Sequence, residues 1–274
     1  MTGEEFRLLS ELIYAHCGIV FRDDMRYLLE RRLAGRLRAL GLADFTNYYR
    51  HLRFDPGRRA ELEAAVDALT TNETYFFRDE TQLRAFSEEL LPLVASQRRQ
   101  RRLRVWSAGC STGEEPYTLA MLIRESGLFE GWDVDIFGTD ISRRVLALAR
   151  KGQYPPTAFR QTPPEMLQRY FVNEGGRYAV ADTLRGMVTF GHVNLLDESM
   201  FNVVGRMDVI FCRNVMIYFD LAARRRVLKH LHARLNEGGY LLLGHSESLI
   251  NVTADFELVH LKNDLIYRKP AGSR

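Results

Sequence analysis

Glu114 and Glu115 stand side by side just after Gly113, where a strand-like run ends and a helical pattern begins. The stretch RVWSAGCSTGEEPYTLAM, Arg104 to Met121, reads as a buried strand, a turn of small residues containing Gly109 and Gly113, and a helix. Such a turn usually cradles a phosphate, because free backbone N–H groups and the helix dipole both favour an anion. Two carboxylates there would repel one. The P-loop spacing G-x-x-x-x-G-K-[ST] is absent, and Gly109 and Gly113 do not meet G-x-G-x-x-G. Acids in a first helical turn also simply complement the dipole, for about 0.3 to 1 kcal/mol each. Beside a turn that admits close backbone approach, however, carboxylates suit a ligand carrying positive charge.

Further polar residues follow the ends of other strand-like runs. Asp140 ends DVDIFGTD, where an acid can accept both hydroxyls of a ribose; as helix N-cap for ISRRVLALA it has an equally physical role, which Ser142 could take instead. Asn194 in NLLD can bond an adenine edge or serve a turn. Cys212, Arg213 and Asn214 end the fourth run, and apolar Val215, Met216 and Ile217 behind them suit either a pocket wall or core packing. Together these residues describe an adenosine site whose far end is cationic, the chemistry of S-adenosylmethionine. Glu115 would then face the sulfonium and α-ammonium charges.

What must position them is a layered fold. From Leu103 on, short apolar runs alternate with helical patterns: LRVWS, the helix from Glu114, VDIFGTD, the helix from Ser142, GMVTFGHV, MDVIFCRN, LAARRRVLKHLHARL and YLLLG. This alternation predicts an α/β fold, a mainly parallel sheet with helices on both faces. The last runs, FELVH and LIYRK, are joined by a short turn and predict an antiparallel edge. Between Gly152 and Gly186 the alternation breaks, with YPPTAF, TPPEML and NEGGRY forming an insertion. Within it Tyr170–Val172 and Tyr178–Val180 predict a hairpin around Gly175 and Gly176.

Before the sheet, Phe6 to about Leu69 is helical throughout. In DDMRYLLERRLAGRLRALG the residues Met25, Leu29, Leu33, Leu37 and Leu40 form one stripe, Asp23 or Asp24 can cap its start, and Gly41 its end. Arg31 and Arg38 share the opposite face, bordered by Arg26 and Arg36, either as a solvated face or as a docking surface for something acidic. A polar break, TTNET, follows, and then YFFRDETQLRAFSEELLPLV, read as another helix. The run QRRQRRLR holds five arginines between Arg98 and Arg104, suiting a solvated connection or a nucleic-acid patch.

The 274 residues, 46% apolar with a net charge of +3, have the composition of a soluble globular protein. No signal peptide and no run of about 18 apolar residues is visible, so neither secretion nor membrane insertion is expected. Three dispersed cysteines match neither a disulfide framework nor C-x-x-C metal spacing. His230 and His232, two apart, point in different directions on a helix. No metal is expected, and the cytoplasm is the expected compartment.

Six segments in this order, TTNETYFFRD, WSAGCSTGEEPYTLAM, FGTDIS, VNLLD, MDVIFCRNVMIYFD and GGYLLLGHSESL, resemble the chemotaxis receptor glutamate methyltransferases, the CheR family. The resemblance spans nearly the whole chain. It implies an all-helical N-terminal domain, taken as residues 1–78, and a class I (Rossmann-like) methyltransferase domain, 79–274, with a small antiparallel β subdomain inserted at about 152–186. It further implies methyl transfer from S-adenosylmethionine, leaving S-adenosylhomocysteine, to glutamate side chains on the cytoplasmic helices of methyl-accepting chemotaxis receptors. Carried over position by position, the implied cofactor contacts are Asn72, Thr74, Arg78, Glu115, Asp140, Asn194, Leu195, Cys212 and Arg213. Tyr218 resembles a residue facing the transferred methyl, and Arg78 can also orient the incoming carboxylate. The turn NEGGRY is short for the family's receptor-tethering members, so tight binding of a receptor-tail pentapeptide is not expected.

A glutamate carboxylate, with a reference pKa of about 4.3, is already an anion at neutral pH and needs no general base. The absence of an obvious His/Asp pair in these segments agrees with that. Rival readings are an NAD-dependent oxidoreductase, which the missing G-x-G-x-x-G argues against; a nucleic-acid methyltransferase gripping through QRRQRRLR; and a cofactor-binding scaffold without catalysis.

Overall fold

The computed structural model describes residues 1–98 and 100–272. Four helices come first: α1 (Gly3–Cys17), α2 (Arg26–Leu40), α3 (Phe45–Phe54) and α4 (Arg58–Leu69). A capping box starts α1, the Thr2 hydroxyl accepting from the Glu5 N–H while the Glu5 carboxylate accepts from the Thr2 N–H. Their shared core holds Leu9, Ile13, Leu29, Leu33, Tyr48 and Val66.

The α2 stripe is buried at Leu29, Leu33 and Leu37. Leu40 is exposed, because left-handed Gly41 ends the helix and turns Leu42 back onto this core, its N–H bonding the Leu37 carbonyl. Neither expected acid caps α2: Asp23 and Asp24 lie in a single 3₁₀ turn, and the helix starts at Arg26 with no side-chain cap. Arg36 is not part of a solvated face either. It pairs with buried Glu61, which also accepts from the Tyr48 hydroxyl at 2.8 Å, because α4 packs against that side of α2. Arg31 and Arg38 are exposed.

The stretch expected as one helix from Tyr75 folds otherwise. Phe77 and Asp79 take left-handed backbone (φ 59° and 63°), and α5 begins only at Glu80 (Glu80–Arg84), running through a π turn at Ala85–Leu90 into α6 (Leu91–Gln97). The sheet then begins: β1 (Arg102–Ala108), α7 (Glu114–Glu125), β2 (Asp133–Asp140) and α8 (Arg143–Lys151). The insertion follows, with β3 (Gln153–Tyr154), α9 (Pro164–Tyr170), β4 (Phe171–Glu174), β5 (Arg177–Val180) and α10 (Asp182–Arg185). The chain returns through β6 (Val188–His192), β7 (Met207–Cys212), α11 (Leu221–Arg234), β8 (Leu235–Leu243), β9 (Glu257–His260) and β10 (Leu265–Arg268).

The seven-stranded sheet has the order β6-β2-β1-β7-β8-β10-β9. Only β10 runs antiparallel to its neighbours β8 and β9, the expected edge. From β1 the chain moves outward through β2 to β6, then crosses back to β7 on the other side of β1. The carboxyl ends of β1 and β7 therefore flank the switch point where a crevice opens. Every residue of β7 is buried, as for a central parallel strand covered on both faces.

The insertion forms its own three-stranded sheet, β3-β5-β4. Its hairpin starts at Phe171, Tyr170 having ended α9, and Glu174 pairs with Arg177 so that Gly175 and Gly176 alone make the turn, at φ 61° and 89°. Phe76 stacks on Phe159 and meets Tyr154 and Phe171 edge-on, which fastens the insertion to the Asn72–Arg78 segment. In the arginine run, Arg98 pairs with Asp208 at 2.6 Å, and Arg102 and Arg104 with Asp133 at 3.2 and 2.6 Å. Arg99, part of the same run, lies outside the described residues.

Candidate functional site

A cavity of about 380 Å³ lies at the switch point, between the helical unit and the carboxyl ends of the strands. Its floor is the Gly109–Ser111 turn. Gly109 is required there: its φ is 87°, and a Cβ would meet Val215 Cγ2 at 2.4 Å. Ser111 is also left-handed, and its N–H is held by Asp140 Oδ2 at 2.9 Å.

The paired glutamates after that turn have separate fates. Glu114 points into the protein, 4% exposed, accepting from the Thr112 hydroxyl at 2.6 Å, and burial raises its pKa to about 7. Glu115 lines the cavity, but not as a free carboxylate. It accepts from the Ser107 hydroxyl at 2.6 Å and lies 3.0 Å from Arg213 Nε, off the line of a hydrogen bond. Any cation it meets shares it with Arg213.

Arg213, 7% exposed, is the most confined charge in the cavity. Its Nη2 donates to the Arg78 carbonyl at 2.9 Å and lies 3.4 Å from Asp79, while Nη1 has no partner among the described residues. A buried guanidinium with an unused donor beside a cavity-lining carboxylate fits an amino-acid tail: the donor suits its carboxylate, Glu115 its ammonium. That donor set and the glycine floor fit the methionine portion of S-adenosylmethionine.

Asp140 lies in the opposite wall. Ser142 is the N-cap of α8, so Asp140 is not; its carboxylate bridges the N–H groups of Ser111 and Ser142, both at 2.9 Å, and burial raises its pKa. Asn72, Thr74 and Arg78 line the cavity from the segment between the domains, with Arg78 Nη1 on the Glu73 carbonyl at 3.0 Å. Asn194 and Leu195 line it too, and the Asn194 side chain is partly engaged: Nδ2 donates to the His16 carbonyl at 2.6 Å and Oδ1 accepts from the Leu196 N–H. The asparagine thereby fastens α1 to the sheet, with one amide N–H uncommitted among the described residues. Cys212 is no lining residue: β7 is covered on both faces, and its side chain packs in the core with Ile210 and Leu241. Tyr218 lines the opening, one-third exposed. Val215 and Ile217 form part of the wall, whereas Met216 is core.

Several lining residues carry no signal in spacing. Cys17, Ile19, Val20, Met25 and Arg32 come from α1, α2 and the loop between them. Burial pushes the Cys17 thiol up to about 12, so it is a neutral wall group. Among the described residues no cluster of three His, Cys, Asp or Glu could hold a metal, and no helix is long and apolar enough to cross a membrane.

Comparison with known proteins bears on the same residues. Residues 72–265 match the family model for the CheR methyltransferase SAM-binding domain, and 4–70 that for the CheR methyltransferase all-alpha domain. The chain belongs to the CheR methyltransferase family. It is 40% identical over 276 residues to the chemotaxis protein methyltransferase of Vibrio parahaemolyticus, covering 98% of each chain. The Salmonella typhimurium chemotaxis protein methyltransferase is 40% identical over 264 residues, covering 94% of this chain and 88% of the relative. Chemotaxis protein methyltransferase 2 of Vibrio cholerae is 35% identical over 272 residues, covering 98% and 94%. The activity is thus that of an S-adenosylmethionine-dependent chemotaxis protein methyltransferase. The helical unit followed by a Rossmann-like sheet with a small antiparallel insertion is the architecture expected from the sequence.

Proposed function

We propose that this CheR protein esterifies glutamate carboxylates on the cytoplasmic helices of chemoreceptors, and that the cavity at the switch point is its active site. The observation that supports this best is one cavity lined by Arg213 and Glu115 and also by Arg78 and Tyr218. We take 1–78 and 79–274 as the two functional units, with the catalytic machinery drawn from their seam.

The residues that would hold S-adenosylmethionine are Arg213 and Glu115 at its amino-acid end, the Gly109 turn beneath, and Asp140 with the Asn194–Leu195 turn at its nucleoside end; when bound it supplies a methyl group on a sulfonium. Asn72 and Thr74 border the same space. Among the donors of Arg78 only Nη1 is engaged by the described residues, which leaves it able to orient a carboxylate in two-point fashion. Ile19, Val215 and Ile217 give the cavity an apolar wall. Because the carboxylate and the sulfonium would lose their charges together, the new C–O bond forming as the methyl–S bond breaks to leave a neutral ester and a neutral thioether, a dry wall would not oppose transfer. Orientation at about 3 to 3.5 Å is then the main task, with no proton to remove.

The exposed Arg31 and Arg38 would steer an acidic receptor helix toward the opening. The two-residue turn of the β4–β5 hairpin supports the reading that the insertion braces the site and does not grip a receptor-tail pentapeptide tightly. Fluorescence anisotropy of a labelled pentapeptide checks this; low-micromolar binding lost on disrupting the hairpin would refute it. The ion pairs of Arg98, Arg102 and Arg104 weigh against a nucleic-acid grip. The decisive assay for the reaction is transfer of radiolabelled methyl to receptor-containing membranes followed by mild base. Label released as methanol is the expected result, and label that resists base would exclude a carboxyl ester.

A further inference from the structure

Tyr218 sits on a single 3₁₀ turn, Met216–Tyr218, and its hydroxyl makes no hydrogen bond among the described residues. Its aim is therefore inherited from the backbone beneath it. That backbone is gripped from two sides. Glu247 Oε2 accepts from the N–H groups of Asn214 (2.8 Å) and Gly244 (2.7 Å), and its Oε1 from the N–H of Ile217 (3.2 Å). From the other side, Arg224 Nε donates to the carbonyls of Met216 (2.9 Å) and Phe219 (3.0 Å). A carboxylate on the amides and a guanidinium on the carbonyls leave the turn little freedom to tilt.

Two further features show a fitted arrangement. Asn214 is left-handed at φ 59°, a conformation uncommon outside glycine that places its N–H on Glu247. At position 244 any Cβ would lie 2.9 Å from Glu247 Oε2 and 3.0 Å from the Asn214 nitrogen, so a glycine there is what lets carboxylate and amide meet. The Tyr218 carbonyl then accepts from the Val20 N–H at 3.0 Å, tying the turn to the helical unit.

We propose that Glu247 and Arg224 are positioning residues, which act through the Met216–Tyr218 turn to hold Tyr218 toward the methyl being transferred. The proposal rests on the reading of Tyr218 as a methyl-facing residue. Arg213, although just before Asn214, is held separately by the Arg78 carbonyl, Asp79 and Glu115. Loosening the turn should accordingly spare the grip on the cofactor while harming transfer.

The test compares the parent with Glu247→Gln, Arg224→Met, Tyr218→Ala and the double variant Glu247→Gln/Tyr218→Ala. In Glu247→Gln an amide N–H₂ replaces one acceptor oxygen, so at least one backbone N–H loses its bond. Methyl transfer to receptor membranes at saturating cofactor should fall about tenfold or more in Glu247→Gln and in Arg224→Met, the scale of misplacement by a fraction of an ångström. The dissociation constant for S-adenosylhomocysteine, by calorimetry, should stay within about threefold of the parent. Hydrogen exchange should accelerate at Asn214–Phe219, and in Glu247→Gln also at Gly244, whose N–H the same carboxylate holds, with the rest of the chain unchanged. In the Tyr218→Ala background, Glu247→Gln should cost little more, because the two changes remove one function. Cofactor affinity falling in parallel with kcat, or losses that multiply in the double variant, would overturn the proposal. Full activity in Tyr218→Ala would instead remove the reading of Tyr218, and the proposal with it. If Glu247→Gln does not fold, Arg224→Met carries the same comparison from the carbonyl side.

Discussion

Glu114→Gln should make this protein more stable at pH 8 and change it little at pH 5. Glu114 is 4% exposed, its one side-chain hydrogen bond comes from the Thr112 hydroxyl, and burial raises its pKa from 4.5 to about 7. The folded state thus holds a proton that the unfolded chain has already released between pH 4.5 and 7, and stability falls as pH rises through that window. Above pH 7 the carboxylate is charged in both states, and the accumulated difference of about 2.5 pH units amounts to roughly 3 kcal/mol, an order-of-magnitude figure, at about 1.36 kcal/mol per unit. Glutamine keeps the shape and the acceptor for Thr112 but never ionises, so it escapes that loss. At this chain length about 2 °C per kcal/mol applies, so the melting temperature should rise by about 6 °C at pH 8 and by less than about 2 °C at pH 5. Differential scanning calorimetry of both proteins across this range measures the gap directly, and other titrating groups cancel between them. A gap that is absent at pH 8, or that widens toward acid, would refute the argument by showing Glu114 to be stabilised as an anion.

Three further outcomes follow from the site. Gly109→Ala places a Cβ 2.4 Å from Val215 Cγ2 at a φ of 87°, so S-adenosylhomocysteine affinity should drop by about tenfold or more with a lowered melting point; calorimetry giving parental affinity would mean the turn is not the floor of the cofactor site. Asp140→Ala frees the N–H groups of Ser111 and Ser142, charge-assisted bonds worth about 1.5 to 3 kcal/mol each, so both cofactor affinity and thermal stability should fall; loss of stability alone would leave Asp140 as a brace for the turn. Reversing exposed Arg31 and Arg38 together to glutamate should raise the apparent KM for receptor at low salt and leave S-adenosylhomocysteine binding unchanged, whereas parental kinetics at low ionic strength would return that face to plain solvation.

The sequence by itself determined the layers of this protein. Alternation of short apolar runs with helical patterns yields the parallel sheet, the two-residue glycine turn yields the β4–β5 hairpin, and three- and four-residue spacing yields the buried side of α2, because side-chain periodicity is a local property of backbone geometry. It also placed Glu115, Asp140 and Arg213 near one another, since residues that follow parallel strands share one end of the sheet, while Arg78 and Tyr218 were expected there from the family resemblance. Tertiary structure alone decided what each polar group does. Glu114 and Glu115 are adjacent in sequence, yet the turn of α7 sends one into the core and the other into the cavity beside Arg213. One N–H of the Asn194 amide goes to a carbonyl 178 residues away, and Cys212 is turned into the core by the pleat of β7. The clamp of Glu247 and Arg224 on the Tyr218 turn joins three separate segments. Hydrogen-bond partnership and burial depend on which distant segments meet, and no spacing along the chain encodes that meeting.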